Sequence, residues 1–402
     1  MKVYQIFLIT LTVASVSCQQ RQNTKNDLPG SFGYDSSFIV KHDSSAIVLG
    51  KENARVIVSP KYQAKVFTSS PEGDTGTSFG WIHYKAFDGP LDPHMNAYGG
   101  ENRLWLGPEG GTFSLFFPPG AKMEFASWKT PAPFDSEPWK VQAHDSASVT
   151  LQKNMLLKNY AGTDLDVTID RKITILSRDE INRLLVLEAI PSVEAVGYMS
   201  ENKLTNSGTF DWNEKTGMPC LWLLDMFNPS DSTTICIPYS AKDTAKPATT
   251  NYFGEIPADR IKYGNGILYF KADGKSRGKL GMHPAVAKNV AGSYDAAKKI
   301  LTIILFDIDN NGRYLNQEWV TNKPPFSGDA VNAYNDGPLA DGTQMGPFYE
   351  LESVSPAAFL KPGGSLIHHH AVFHFTGDEK GLNTIAEKVL GVSLESIEQA
   401  LK

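Results

Sequence analysis

The stretch Tyr98-Gly-Gly-Glu-Asn-Arg-Leu-Trp-Leu-Gly-Pro-Glu-Gly-Gly111 is the most informative part of this 402-residue sequence. Its adjacent glycines permit a tight backbone, and Arg103, Trp105 and Glu109 follow as polar and aromatic side chains. Such a set suits a polar ring with an apolar face, because charged groups bind its edge while an aromatic ring covers its flat side. We therefore predict that these three residues line a small-molecule cleft.

A second stretch, Phe348-Tyr-Glu-Leu-Glu-Ser-Val-Ser-Pro356, has the alternation of a strand. Side chains two positions apart on a strand share a face, so Glu350 and Glu352 are expected to point the same way. Two acids on one face of a strand are either solvated or catalytic. This stretch is therefore the second candidate for the cleft.

Short β-rich segments bounded by Gly, Pro, Asn or Asp recur along the chain and predict strands. They span residues 46–49, 54–58, 146–151, 165–169, 184–190 and 300–305. No long helical periods separate them, which favours an antiparallel all-β sandwich or barrel over alternating βαβ units. Convincing helical spacing comes at the end, where the apolar residues of 382–401 predict two short helices separated at Gly391.

Taken in order, these motifs resemble the galactose mutarotase-like superfamily, the β-supersandwich fold of aldose 1-epimerase, and more closely a bacterial lipoprotein branch of it. The resemblance implies one domain over residues 31–402. The motifs that carry it are Gly99-Gly-x-x-Arg-Leu-Trp105, Lys203-Leu-Thr-Asn-Ser-Gly208, Leu221-Trp-Leu-Leu224, Lys279-Leu-Gly281, Glu318-Trp319 and the Leu351-Glu-Ser353 strand with its later Pro-Gly turn.

In epimerases of that superfamily a glutamate takes the proton from the anomeric hydroxyl while a histidine protonates the ring oxygen. The resemblance implies that Glu352 is this base, with Glu350 able to share its role. The histidine does not carry over, because none lies between residues 206 and 219. His94 and His283 flank the cleft positions and are expected to supply the acid, since histidine titrates near neutral pH.

The residues that the motifs and the resemblance assign to substrate binding are Arg103, Trp105, Glu109, Lys279, Trp222, Asp225 and Glu318. The expected partner is a mono- or oligosaccharide. The leading hypothesis is a sugar epimerase or mutarotase-like enzyme. The alternatives are a non-catalytic glycan-binding lipoprotein of a polysaccharide-utilisation system and a polysaccharide lyase or glycoside hydrolase, because one fold hosts several functions.

The residue types of a calcium-binding loop occur at the required spacing at Asp307, Asp309, Asn311 and Glu318. The preceding segment reads as a strand where a calcium loop needs a helix, and an Asn-Gly hairpin turn has the same letters. We favour the turn and expect no cofactor, with calcium as the alternative. The run 368–370 with His374 leaves a three-histidine metal site as a further, less favoured alternative.

Cys220 and Cys236 lie equally far from residue 228, where the sequence 227–230 predicts a turn. A hairpin centred there would place the two cysteines opposite each other and permit a disulfide in an exported protein. Two free buried cysteines are the alternative, because cysteine packs well as a small hydrophobic residue.

Residues 1–17 have the charged start, apolar centre and small-residue end of an export signal. Cys18 follows and resembles the acylated cysteine of a bacterial lipoprotein, and residues 18–30 are expected to form a flexible tether. We therefore expect a protein exported from a Gram-negative bacterium and held at the periplasmic or outer surface of a membrane by its lipid alone. The formal charge of −6 argues against nucleic acid as a partner.

Overall fold

The computed structural model describes residues 28–190, 192–240 and 247–402. The export signal and Cys18 lie outside the described residues, as does all of the tether before residue 28. The helices are α1 Phe32–His42, α2 Arg178–Leu185, α3 Glu379–Val389 and α4 Leu394–Gln399. The strands are β1 Ile47–Lys51, β2 Ala54–Ser59, β3 Lys65–Ser70, β4 Arg103–Gly107, β5 Lys140–His144, β6 Ser148–Lys158, β7 Asp164–Ile175, β8 Val193–Asn206, β9 Cys220–Phe227, β10 Thr233–Pro238, β11 Ala248–Thr249, β12 Ile261–Gly264, β13 Ile267–Lys271, β14 Gly278–Met282, β15 Val290–Asp295, β16 Ile300–Phe306, β17 Val331–Asn335, β18 Tyr349–Val354 and β19 Ser365–Gly377.

These strands form three antiparallel sheets, so the predicted all-β sandwich is confirmed. The ten-stranded sheet has the order β12-β13-β10-β15-β16-β19-β8-β7-β6-β5, and the six-stranded sheet has the order β11-β14-β17-β18-β9-β4. The two sheets face each other: Ser353 of β18 lies 2.8 Å from both His368 and His370 of β19, and Tyr349 lies 2.8 Å from Ser293 of β15. The third sheet, β1-β2-β3, packs against β6, β7 and β8.

Alternation along β18 decides which side chains reach the outer face of the six-stranded sheet. Tyr349, Leu351 and Ser353 point into the space between the sheets, where Leu351 is fully buried in the main apolar core. Glu350 and Glu352 point the other way, as their alternation predicted. The outer face of this sheet therefore carries both acids.

The two C-terminal helices, α3 and α4, confirm the prediction for residues 382–401. Their apolar residues, including Leu382, Ile385 and Ile397, pack with Phe373 and Leu301 of the ten-stranded sheet in a second apolar core. Both faces of the central strands of that sheet are therefore buried, one under the six-stranded sheet and the other under these helices. No helix among the described residues is long and apolar enough to cross a membrane.

The strand predicted at residues 184–190 is wrong, because this region contains the last two residues of helix α2 and the irregular segment after it. Ser177 caps α2 by accepting the N–H of Glu180, and the Glu180 carboxylate binds the N–H of Ser177 in return. Ile181 and Leu185, four residues apart, are the buried positions of the helix. The Ser177-x-x-Glu180 spacing is a capping box and indicates the start of a helix, whereas the apolar run at 184–190 favoured a strand.

The hairpin predicted to join Cys220 and Cys236 is also wrong. Cys220 begins β9 in the six-stranded sheet, whereas Cys236 lies in β10 of the ten-stranded sheet. The chain does turn between these strands, but it crosses from one sheet to the other instead of returning beside itself. Both cysteines are free and buried, which agrees with the alternative.

Candidate active site

A cleft of about 390 Å³ lies on the outer face of the six-stranded sheet. Its volume is at the small end of the range for ligand pockets. Its walls include three cations, three carboxyl groups and a set of aromatic rings. The predicted residues in its walls are His94, Arg103, Trp105, Glu109, Trp222, Lys279 and Glu350.

The register of the sheet explains why residues far apart in sequence meet in this cleft. Arg103 of β4 lies opposite Leu224 of β9, and Leu224 lies opposite Glu352 of β18. One pleat along, Glu350 lies opposite Tyr334 of β17, which in turn lies opposite Lys279 of β14. Directly paired residues share a face of a sheet, so the strands place these side chains on the same surface.

Arg103 and Glu350 form a buried ion pair in the cleft wall. The guanidinium Nη2 donates to the Glu350 Oε1 at 2.7 Å, and both side chains are more than nine-tenths buried. The guanidinium also lies over the Trp105 ring, 4.4 Å from its centroid. Burial raises the pKa of Glu350 above its ordinary value, although the Arg103 charge opposes the rise.

Lys279 and Glu352 form a second buried pair beside the first. Glu352 Oε2 accepts from the Lys279 ammonium at 3.0 Å and from the Trp222 indole N–H at 2.8 Å. Lys279 and Trp222 line the cleft, so Glu352 lies directly beneath them. Its other oxygen, Oε1, is buried with no protein donor within hydrogen-bond distance. A buried acceptor without a hydrogen-bond donor lowers the stability of the fold, so this oxygen is a candidate for contact with a ligand.

Glu109 contributes a third carboxyl group from the segment that follows β4. Its backbone N–H donates to the Gln317 side chain at 2.6 Å, which fixes the residue at the cleft wall. Burial raises the pKa of the Glu109 carboxyl, and this effect is partly offset by the Lys279 charge and the Trp319 indole. A raised pKa favours the protonated form, so Glu109 is suited to donate a proton.

The two candidate histidines differ in position. His94 lines the cleft, stacks on Phe125 at 4.6 Å, and has Nδ1 2.6 Å from the Trp128 carbonyl oxygen. His283 is exposed, accepts the N–H of Ala285, and does not line the cleft. The expectation that His283 reaches the cleft is wrong, because the chain leaves β14 at Met282 and carries His283 to the surface.

Asp225 and Glu318 also lie elsewhere, so their prediction as cleft residues is wrong. Asp225 points between the sheets, where its carboxylate accepts from Asn102 at 2.5 Å and contacts His370 Nε2 at 2.6 Å. It alternates with Trp222 and Leu224 on β9 and therefore takes the opposite face. Glu318 binds the ammonium of Lys323 at 2.7 Å, outside the cleft wall.

The histidines of β19 belong to the interior of the sandwich. His368 and His370 share the Ser353 hydroxyl, and His374 contacts Glu101 at 3.1 Å. Burial lowers the pKa of His368 to about 3, so this ring is neutral. Within the described residues, no group of three or more His, Cys, Asp or Glu side chains is arranged to hold a metal ion.

The acidic residues of the calcium-loop pattern point to separate partners. Asp307 contacts His369 at 2.8 Å, and the Asp309 carboxylate accepts the N–H of Asn311 at 3.0 Å in a local turn. The segment follows strand β16, as the turn interpretation requires. Glu318 is the residue paired with Lys323, so the four positions do not form one cluster.

Sequence reasoning missed several residues of the cleft. Arg277 stands two positions before Lys279, so alternation from Lys279 was a signal that could have found it. Alternation from Glu350 was likewise a signal for Phe348, and Trp319 stood in the Glu318-Trp319 motif without being assigned to the cleft. The other aromatic residues of the wall come from separate loops and strands and left no such local signal; they are Phe125, Trp128, Phe253 and Tyr334.

A larger cavity of about 560 Å³ lies near α1 and the ends of the sheets. Its walls include Asp35, Asp231, Asp273 and Asp295, and none of the predicted catalytic or substrate-binding residues. The smaller cleft is therefore the better candidate site, because it gathers the buried pairs and the aromatic rings in one place.

A family model described as a family of unknown function, DUF6786, matches residues 30–401 of this chain. No curated protein sequence matches the chain.

Solved structures resemble the chain at low identity. A Synechocystis protein is 13% identical with a TM-score of 0.50, over 83% of this chain and 96% of its own. A candidate aldose 1-epimerase of Escherichia coli is 14% identical (TM-score 0.47, coverage 82% and 98%), and a galactose mutarotase-like protein of Lactobacillus casei is 11% identical (0.46, 82% and 100%). What the Synechocystis structure shares with the chain is the fold alone.

Proposed function

The chain belongs to the DUF6786 family of unknown function, and from its cleft we propose that it binds a carbohydrate and catalyses opening or inversion at the sugar's anomeric carbon. The observation that carries this proposal is Glu352: a buried carboxylate with one oxygen held by Lys279 and Trp222 and the other without a protein donor. The aromatic rings around it suit the apolar face of a sugar ring.

In this proposal Glu352 is the base and Glu109 is the acid. The Glu352 carboxylate takes the proton of the anomeric hydroxyl while Glu109 gives its proton to the ring oxygen, so the bond between C1 and the ring oxygen breaks. The open-chain aldehyde turns about its C1–C2 bond and closes on the other face, which returns both protons. A ligand reaches Glu352 past the Lys279 side chain, which is long enough to move aside.

Glu109 is favoured over His94 as the acid because of the protons that each group holds. The contact between His94 Nδ1 and the Trp128 carbonyl oxygen requires the proton on Nδ1. A neutral His94 then presents Nε2 as an acceptor and has no proton to give there. Burial raises the pKa of Glu109, which favours the protonated form that can give a proton to the ring oxygen.

The test is anomeric exchange, followed by NMR on aldoses with the purified protein. Glu352→Gln keeps the shape and removes the base, so exchange should fall about 10²–10⁴-fold while ligand binding survives. Glu109→Gln should do the same through loss of the acid. Glu350→Gln is the matched control: it should weaken binding through Arg103 and reduce exchange much less. Full exchange in the Glu352 variant would show that Glu352 is not the base, and Glu350 would then be the candidate for that role.

A second candidate function is glycan binding without catalysis. It is favoured by the Glu352 environment itself, because a carboxylate oxygen held by two donors is well suited to a fixed role in shaping the cleft. The wild-type protein distinguishes the two functions: a thermal shift with a sugar in the absence of exchange supports the binder. A lyase or hydrolase of longer chains is supported less well, since the cleft volume suits a small ligand.

We also propose that the protein is exported and lipid-anchored through Cys18 at the periplasmic or outer side of a Gram-negative membrane. The support is the N-terminal sequence alone: a signal of 17 residues followed directly by cysteine. A periplasmic or surface position would expose the cleft to sugars outside the cytoplasm.

A further inference from the structure

Arg277 is a cation of the cleft that has no acidic partner among the residues that the structure describes. It is exposed and lines the cleft, and no carboxylate oxygen of the described chain lies within ion-pair distance of its guanidinium. Its guanidinium lies 4.0 Å from the centroid of the Phe253 ring. Stacking on a ring holds the guanidinium plane while its N–H edges stay free to bind a ligand.

The other two cations of the cleft are already neutralised. Arg103 is paired with Glu350 and Lys279 is paired with Glu352, at 2.7 and 3.0 Å. The remaining cleft acid with a buried carboxyl, Glu109, is the proposed proton donor and carries no charge in that role. Asp92 also lines the cleft, but its carboxylate accepts the backbone N–H groups of His94 and Met95 and forms no ion pair with Arg277. Arg277 is therefore the cleft cation that no carboxylate of the described residues holds in an ion pair.

We propose that the substrate is a uronic acid, or a glycan ending in one, whose carboxylate is bound by Arg277. The inference rests on the proposed carbohydrate function and names its substrate class. A planar guanidinium fork matches a planar carboxylate through two parallel hydrogen bonds. A single unpaired guanidinium suits the one charge of a carboxylate better than the nearly two charges of a phosphate monoester.

The test compares matched sugars on the full-length mature protein by calorimetric titration at fixed ionic strength. The probes are D-galacturonate against D-galactose and D-glucuronate against D-glucose, with D-galactose 6-phosphate as a third arm. At least one uronate should bind about 10- to 100-fold more tightly than its neutral hexose, as expected for a charge-assisted hydrogen-bond pair. Arg277→Gln should abolish that preference, because uronate binding should weaken about 10- to 100-fold whereas hexose binding should change much less. Arg277→Lys should restore only part of it, because an ammonium cannot form the two-bond contact.

Arg313→Gln is the matched control variant. Arg313 is another exposed arginine that stacks on a phenylalanine, 3.8 Å from the Phe326 ring, but it pairs with Glu214 and lies outside the cleft. This variant should keep the full preference for the uronate.

Three results would overturn the substrate class: equal binding of hexose and uronate, an unchanged preference in Arg277→Gln, or tighter binding of the 6-phosphate. In each of these cases sugars still bind, so the proposed carbohydrate function stands. Absence of binding by every sugar tested would overturn both proposals together.

Discussion

Removing Glu350 should destabilise the protein more than removing its partner Arg103. Both side chains are almost fully buried and joined at 2.7 Å. In Glu350→Leu the guanidinium stays charged, because an arginine side chain does not lose its proton in proteins, and it stays buried against Trp105. Leaving one charge of a buried pair without its partner costs about 3–5 kcal/mol.

Arg103→Met should lower the free energy of unfolding by less, because Glu350 can become neutral by taking up a proton and Arg103 cannot become neutral. Burial already raises the pKa of Glu350 with the arginine present. Without Arg103 the pKa rises further, so the carboxyl takes up a proton near neutral pH and remains buried as a neutral acid. The expected loss is about 1–3 kcal/mol, the cost of unsatisfied hydrogen bonds.

The two variants should also differ in their dependence on pH. In Arg103→Met the folded pKa of Glu350 lies above its unfolded value of about 4.5. Stability that depends on this group is then fully present below about pH 4.5 and is lost as pH rises through the folded pKa. Burial raises the pKa of Glu350 to about 7 in the wild type, so the loss in Arg103→Met should grow mainly as pH rises above 7. The loss in Glu350→Leu should shrink between pH 5 and pH 7, because over this range the wild type loses the stability that depends on Glu350 and the variant does not.

Urea unfolding followed by tryptophan fluorescence measures these losses, and an unchanged slope against denaturant keeps them comparable. The double variant Arg103→Met with Glu350→Leu should lose much less than the sum of the single variants, because replacing both charges of a buried pair is often close to neutral. A double variant that loses the full sum would refute the coupling between the two residues. So would an Arg103→Met loss larger than that of Glu350→Leu at pH 6.

Three further outcomes are expected. Burial raises the pKa of Asp329 to about 6 from an ordinary 3.8, which corresponds to about 3 kcal/mol of stability lost as pH increases from 4 to 7. The urea midpoint of Asp329→Asn should therefore vary less with pH than that of the wild type. An unchanged dependence on pH would contradict this assignment. Cys220 and Cys236 are free and buried, so Cys18→Ala protein purified without reductant should bind no thiol reagent when folded and two equivalents in urea, a result that a disulfide could not give. Cys18→Ala should move the protein from membrane to soluble fractions on cell fractionation, whereas retention in the membrane would argue against the lipid anchor.

Alternation of side chains, a local feature of the sequence, predicted the face of strand β18. The period of two on β18 placed Glu350 and Glu352 together, and both do point to the outer face of the six-stranded sheet. The same rule could have excluded Asp225, since Trp222 and Asp225 on β9 differ by an odd number of positions.

Helix ends were readable for the same local reason. The apolar spacing after residue 382 predicted α3 and α4, and the Ser177 cap could have predicted α2. A cap or a helical period depends on residues three or four positions apart, so it needs no knowledge of the rest of the chain.

Pairing between strands was decided only by the tertiary structure. Arg103 and Glu350 are 247 positions apart, and nothing local states that β4 and β18 both border β9. The cysteine hairpin failed for this reason: the turn near residue 228 was real, but β9 and β10 entered different sheets. The sequence determined the strands, their faces and the acids that they carry; burial of apolar faces between distant segments decided which strands became neighbours, and therefore which charges, rings and carboxylates met in the cleft.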